Sequence, residues 1–123
     1  MYNFLKKEPI DKDDILCFEI KDEKVKEVTD FYNEKPFPSY KNNDNKQSIL
    51  DKGNRNFLAN QFKKFIGYKK NVLEVGCGTG QLSNYFAIGT NNYIIGLGPT
   101  KASLKLAKNF SNKNNISNIK FVN

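Results

Sequence analysis

Residues 72–87, VLEVGCGTGQLSNYFA, hold the side chains and spacing best able to do chemistry in this chain. Glycines at 76, 78 and 80 are spaced GxGxG, so the backbone can turn tightly and admit a ligand against main-chain N–H groups that a Cβ would block. Glu74 stands just before them. Of the 13 acidic residues, 12 lie in residues 1–51, which leaves Glu74 as the only acid from residue 52 onward. A carboxylate beside such a cradle suits a ligand carrying positive charge and repels a pyrophosphate. The dinucleotide fingerprint G-x-G-x-x-G needs its third glycine one place later, where Gln81 stands, and no lysine follows Gly80 as a phosphate-binding P-loop requires.

The elements that must position these residues follow from the flanks. The apolar run before Gly76 reads as a strand, and the pattern after Gly80 as a helix. This strand, loop and helix resemble motif I of the class I methyltransferases that use S-adenosylmethionine, and LEVGCGTG is a close match. In that family the loop approaches the methionine part of the cofactor, and the acid helps organise the loop and the cofactor's amino group. The resemblance therefore marks Glu74, Gly76, Cys77, Gly78 and Gly80 as cofactor-binding. A sulfonium cation without phosphate accords with the lone carboxylate.

The same resemblance places the second half of the site after the next strand, in NYIIGLGPTKASLKLAK. Tyr93 to Leu97 is apolar and β-branched, as a buried parallel strand should be, and Thr100 can cap a helix whose apolar positions include Ala102, Leu106, Ala107 and Phe110. The family usually has an Asp or Glu aligned with position 98; this chain has Gly98. A carboxylate accepting hydrogen bonds from both ribose hydroxyls contributes roughly 1.5 to 3 kcal/mol, so its loss weakens binding about tenfold or more. Two readings stand: a degenerate site, or one in which Thr100, main-chain groups or water take over. Gly98 and Thr100 complete the implied cofactor set.

A class I methyltransferase domain has seven strands in a doubly wound sheet and spans about 200 residues, and this chain has 123. ISNIKFVN reads as the start of a third strand. The expected fold is α/β: the first three strands of a Rossmann-like doubly wound parallel sheet, preceded by a helical or extended segment. Residues 1–52 are expected to be an N-terminal extension and linker, and residues 53–123 the N-terminal part of the domain, truncated at about the third strand. An open edge on such a sheet favours aggregation or a partner.

In the N-terminal third, Ile15 to Ile20 reads as a short strand and Lys24 to Tyr32 as a helix with Val25, Val28 and Tyr32 on one face. Pro36 and Pro38 leave Phe37 and Tyr40 in an extended segment. FYNEKPFPSY is similar to the aromatic lead-in of some bacterial methyltransferases of uncertain substrate. Tyr32, Phe37 and Tyr40 either cover the cofactor, whose sulfonium a ring face attracts, or anchor the extension on the core. Residues 41–54 read as a polar linker. Asn54 is expected to cap a helix with Leu58, Phe62, Phe65 and Ile66 on its sheet-facing side and Gly67 as its stop.

Composition narrows the rest. There is no histidine, and Cys17 and Cys77 form no C-x-x-C pair, so no zinc site or His-based catalyst is legible. Neither a membrane-spanning run nor a secretion signal is present, which places the expected location in the cytoplasm. Residues 52–123 hold 11 Lys or Arg against Glu74 alone, a net +10; residues 1–51 hold 9 against 12, a net −3. With 19 Lys, a single Arg and 18 Asn, the basic half looks more like the codon bias of an A·T-rich genome than a polyanion groove. A small-molecule methyl acceptor is therefore favoured over nucleic acid. Two functions remain open: the cofactor half of a methyltransferase, or a non-catalytic adapter binding a protein or nucleic acid.

Overall fold

The computed structural model describes residues 10–12 and 15–123; the beginning of the extension, residues 1–9 and 13–14, lies outside the described residues. In chain order the elements are β1 (Ile10–Lys12), β2 (Ile15–Cys17), α1 (Glu23–Glu34), α2 (Lys46–Arg55), α3 (Phe57–Ile66), β3 (Asn71–Val75), α4 (Gln81–Ala87), β4 (Tyr93–Leu97), α5 (Lys101–Lys113) and β5 (Ile119–Val122).

One five-stranded sheet runs in the order β1-β2-β5-β4-β3. The last three strands are parallel, with Val72 opposite Ile94 and Ile94 opposite Ile119. This is the expected start of a Rossmann-like sheet. Unforeseen is that the extension enlarges it. β2 adds in parallel to β5, with Leu16 opposite Val122, and β1 pairs antiparallel to β2. The extension is thus part of the same sheet.

The core lies between the sheet and the helices on one face. Ile49, Tyr85, Phe86, Ile88, Ile94, Phe110 and Ile116 form one cluster, and Ile15, Cys17, Cys77, Leu104, Ala107 and Phe121 a second. Buried amides close the turns between strands and helices. Asn118 donates from Nδ2 to the carbonyls of Ala87, Thr90 and Asn92, while Asn92 donates to Gly67 O (2.7 Å) and accepts from Lys70 N (2.8 Å). Residue for residue, these amides satisfy carbonyls that the turns would otherwise leave unpaired.

Three expectations need correction. Residues 46–55 of the supposed linker are helix α2, whose N-terminus is closed by a reciprocal Asn45–Ser48 capping box. The cap of α3 is Asn56, which accepts from Ala59 N (3.0 Å); Asn54 lies inside α2 and accepts from the Tyr85 hydroxyl (2.9 Å). Gly67 does stop α3, at φ 68°. Leu58, Phe62 and Phe65 are exposed, because α3 leans on α2 and only Ala59 and Ile66 reach the core. Likewise α1 buries Thr29 toward α5 and leaves Val25, Val28 and Tyr32 at the surface.

Among the described residues, no helix covers the opposite face of the sheet. Leu73 and Val75 of β3 are 60% and 74% exposed. With Leu16, Ile95, Leu97 and Val122 they line a concavity of about 830 Å³ that reaches Gly76, Gly98 and Pro99 at the carboxyl edge. Parallel sheets are ordinarily covered on both faces.

Candidate functional site

The glycine loop leaves β3 at the carboxyl edge of the sheet and is fixed at its start by β4, since Gly76 N (2.7 Å) and Cys77 N (3.0 Å) both donate to Leu97 O. Gly76 has φ 79°, and an ideal Cβ there would meet nothing within 4 Å. That side of the loop is open. Gly80, at φ 71°, has the opposite reason for lacking a side chain: its Cβ would lie 2.6 Å from Ala107 Cβ and 2.7 Å from the Phe121 ring. It lets the turn press onto the core as α4 begins.

Glu74 points away from the bare face, toward α4, where its carboxylate accepts a hydrogen bond from the Ser83 hydroxyl. Burial pushes its pKa up, while the Ser83 hydroxyl and backbone N–H pull in the other direction. The sole acid of this half therefore ties the strand end to the first turn of the helix that follows the loop. Cys77 is buried, and burial together with the charge of Glu74 pushes its thiol up to about 12. It is a packed residue and no nucleophile at neutral pH.

Gly98 continues the β4 edge. Its N–H donates to Val122 O (3.0 Å) and its carbonyl accepts from Asn123 Nδ2 (3.0 Å). A Cβ at this position would sit 3.4 Å from Leu104 Cδ2, 3.5 Å from Cys77 Sγ and 3.9 Å from Gly78 N, all ordinary contacts. Neither space nor backbone conformation demands glycine here. Thr100 is the buried N-cap residue of α5, with its carbonyl accepting from Leu104 N (3.1 Å) and no side-chain capping bond.

The aromatic lead-in crosses the loop directly. Thr79 Oγ1 donates to Pro38 O (2.5 Å), the Tyr40 hydroxyl donates to Thr79 O (2.8 Å), and Gln81 Nε2 donates to Ser39 O (3.2 Å). Tyr40 also stacks on Phe110, with ring centroids 4.5 Å apart, and accepts from Asn84 Nδ2 (3.2 Å). Burial raises its phenol pKa. Its ring is committed to the core and its hydroxyl to the loop. Phe37 is 74% exposed with its carbonyl 3.7 Å from a Cβ built on Gly78; Tyr32 lies at the surface, edge-on to Phe31.

The structure therefore brings Glu74, Gly76, Cys77, Gly78, Gly80 and Gly98 to one edge, places Thr100 just behind them, and lays Phe37 against the loop. Sequence reasoning missed Thr79 and Asn84 as the clips of the lead-in. Asn84 is fully buried and bonds Gly80 O, Tyr40 and Ser111. The signal available was a polar pair flanking the last loop glycine, with an aromatic Pro segment free to meet it. Among the described residues there is no group of three or more His, Cys, Asp or Glu that could hold a metal ion.

A glycine loop after the first of three parallel strands, with an acid at the strand end, is the start of a Rossmann-like fold. Over residues 66–123 the chain matches the family model described as "Methyltransferase domain". Among solved structures, the [4+2]-cyclase SpnF is similar at 19% identity with a TM-score of 0.54, over 79% of this chain and 41% of that one. The YcgJ protein of Bacillus subtilis is 23% identical over 51% of this chain and 27% of its own, with a TM-score of 0.46. An S-adenosylmethionine-dependent methyltransferase of Aquifex aeolicus is 18% identical over 83% and 46%, with a TM-score of 0.43. The chain thus spans less than half the length of these structures. No curated protein matches it.

Proposed function

We propose that this chain is the cofactor-binding part of a class I methyltransferase and that it holds S-adenosylmethionine at the carboxyl edge of β3 and β4. The observation that carries this reading is the open side of Gly76, facing outward between a carboxylate-anchored strand end and the Gly98 turn. The residues fit the group: a Cβ-free cradle for the methionine end, and a carboxylate beneath it that attracts an ammonium or sulfonium. Bound cofactor would supply an electrophilic methyl group, and positioning of the acceptor in line with it would supply most of the catalysis. The chain's own residues bind and orient; none is placed to act as a general base.

The acceptor and the rest of its pocket belong to the half of the fold not represented in these residues. The bare sheet face and the free edge of β3 are where that half would pack. A small-molecule acceptor is favoured, because a single Arg among 20 basic residues gives little bidentate phosphate recognition. No helix among the described residues is long and apolar enough to cross a membrane, and we place the protein in the cytoplasm. The second reading, a non-catalytic adapter, draws on Gly98 and on the range of functions one fold can host.

Calorimetric titration of S-adenosylhomocysteine into the chain tests the proposal. Micromolar binding that Glu74→Ala abolishes supports it. A folded chain that binds neither as it stands nor as Gly98→Asp overturns it in favour of the adapter.

A further inference from the structure

We infer that Glu19, from the N-terminal extension, supplies the ribose-binding carboxylate that β4 lacks at Gly98; the inference rests on the cofactor reading above. Nucleoside sites of this architecture use an acid at the end of the second strand, roughly 20 residues past the glycine loop, to accept the ribose hydroxyls. Here nothing in the backbone or the available space excludes a side chain at 98, yet no acid exists between Glu74 and the last residue. Within these residues, a carboxylate for the ribose can come only from the segment before the loop. Glu19 is the one acidic residue lining the concavity that also reaches Gly76, Gly98 and Pro99.

Its position there follows from the added strand. Because β2 runs parallel to β5, the chain leaves β2 at the same carboxyl edge as the loop. Asn123 fixes that exit to the site. Its backbone accepts from Phe18 N (2.9 Å) and donates to Leu16 O (2.7 Å), while its side chain donates to Gly98 O (3.0 Å). Two strand spacings separate β2 from β4, about 10 Å, a gap that a glutamate side chain and a ribose ring fill together. The carboxylate is available for this. Its ion pair with Lys21 measures 3.9 Å between side chains that are 76% and 71% exposed, a contact of little energy. The extension thus contributes a ligand as well as an edge strand.

The test is a binding cycle on the whole chain, with S-adenosylhomocysteine as the probe and thermal melts to confirm equal folding. Glu19→Ala is expected to weaken binding about ten- to a hundredfold, and Glu19→Gln less. Adding Gly98→Asp to Glu19→Ala restores affinity, and in the Gly98→Asp background the Glu19→Ala change costs less than about twofold. The effect of Glu19→Ala also disappears for the 2′,3′-dideoxy analogue, which has no hydroxyls to offer. Unchanged binding by Glu19→Ala overturns the inference and leaves the cofactor reading intact. Binding only after Gly98→Asp also overturns it, since Glu19 then supplies nothing. Silence from both the unaltered chain and Gly98→Asp overturns the inference and the cofactor reading together.

Discussion

Glu74 shows how a single residue trades stability for a site. Its carboxyl pKa is raised by burial, so the folded state favours the protonated form. The linkage sign follows: its contribution to stability is largest in acid, below the unfolded carboxyl value, and is lost as pH rises through the raised folded value. At neutral pH the ionised group is a cost that the Ser83 bonds only partly offset. Glu74→Gln keeps an acceptor for the Ser83 hydroxyl and removes the charge. It is expected to leave the melting temperature at pH 7 equal or higher, to flatten its dependence between pH 4 and 7, and to lose S-adenosylhomocysteine affinity. A lower melting temperature at pH 7 would contradict this account of the carboxylate. Cys77, with its thiol pushed up to about 12, should resist iodoacetamide at pH 8 in the native chain and react once the chain is unfolded in urea.

Among the elements, those that surround the glycine loop were legible and those that depend on distant contacts were not. The strands at 71–75, 93–97 and 119–122 announce themselves by apolar, β-branched runs, the first two beside glycines, and the structure places them there. Helix α2 was hidden because KQSILDKGNR is polar and contains Gly53, a poor helix former. The contact that rescues it lies 32 positions along the chain: a Cβ on Gly53 would lie 2.3 Å from the Tyr85 ring, which is held by Asn54 and overlain by Lys63 Nζ at 4.4 Å. Local propensity and packing therefore oppose each other at this position. Gly53→Ala should gain about 1 kcal/mol of helix propensity and lose more to overpacking, typically 1 to 3 kcal/mol, for a net destabilisation by urea unfolding. A stabilised variant would mean that α2 stands off from Tyr85. The abundant asparagine was also misread at this scale. Asn45, Asn56, Asn84, Asn92 and Asn118 each close a cap or a turn that the fold uses.

At the scale of the whole molecule, the described residues place helices against one face of the sheet. Exposed apolar residues lie on α1, α3 and β3, where Phe65 is 90% exposed and Val75 and Leu73 line the concavity. Exposed apolar surface of this kind is prone to association, and the free β3 edge adds unpaired backbone groups. The isolated chain is therefore expected to bind 8-anilinonaphthalene-1-sulfonate while folded and to self-associate with rising concentration. The double change Leu73→Lys with Val75→Lys should reduce both effects, as read by fluorescence and light scattering, with little change in melting temperature. A chain that stays monomeric and dye-silent at high concentration would contradict the one-sided sheet. The sequence reading anticipated the open edge from the strand count. It could not anticipate that the extension would occupy the other edge, since ILCFEI has no local feature that selects β5 as its partner.

The central claim is that the GxGxG turn at the end of β3 receives S-adenosylmethionine, and the most direct measurement is an amide-resolved NMR titration of the chain with S-adenosylhomocysteine. The account predicts saturable shifts concentrated on Gly76, Cys77, Gly78, Thr79 and Gly80, extending to Gly98 and Thr100. Shifts confined to the bare sheet face around Leu73 and Ile95, or no shifts from a folded chain, would contradict it.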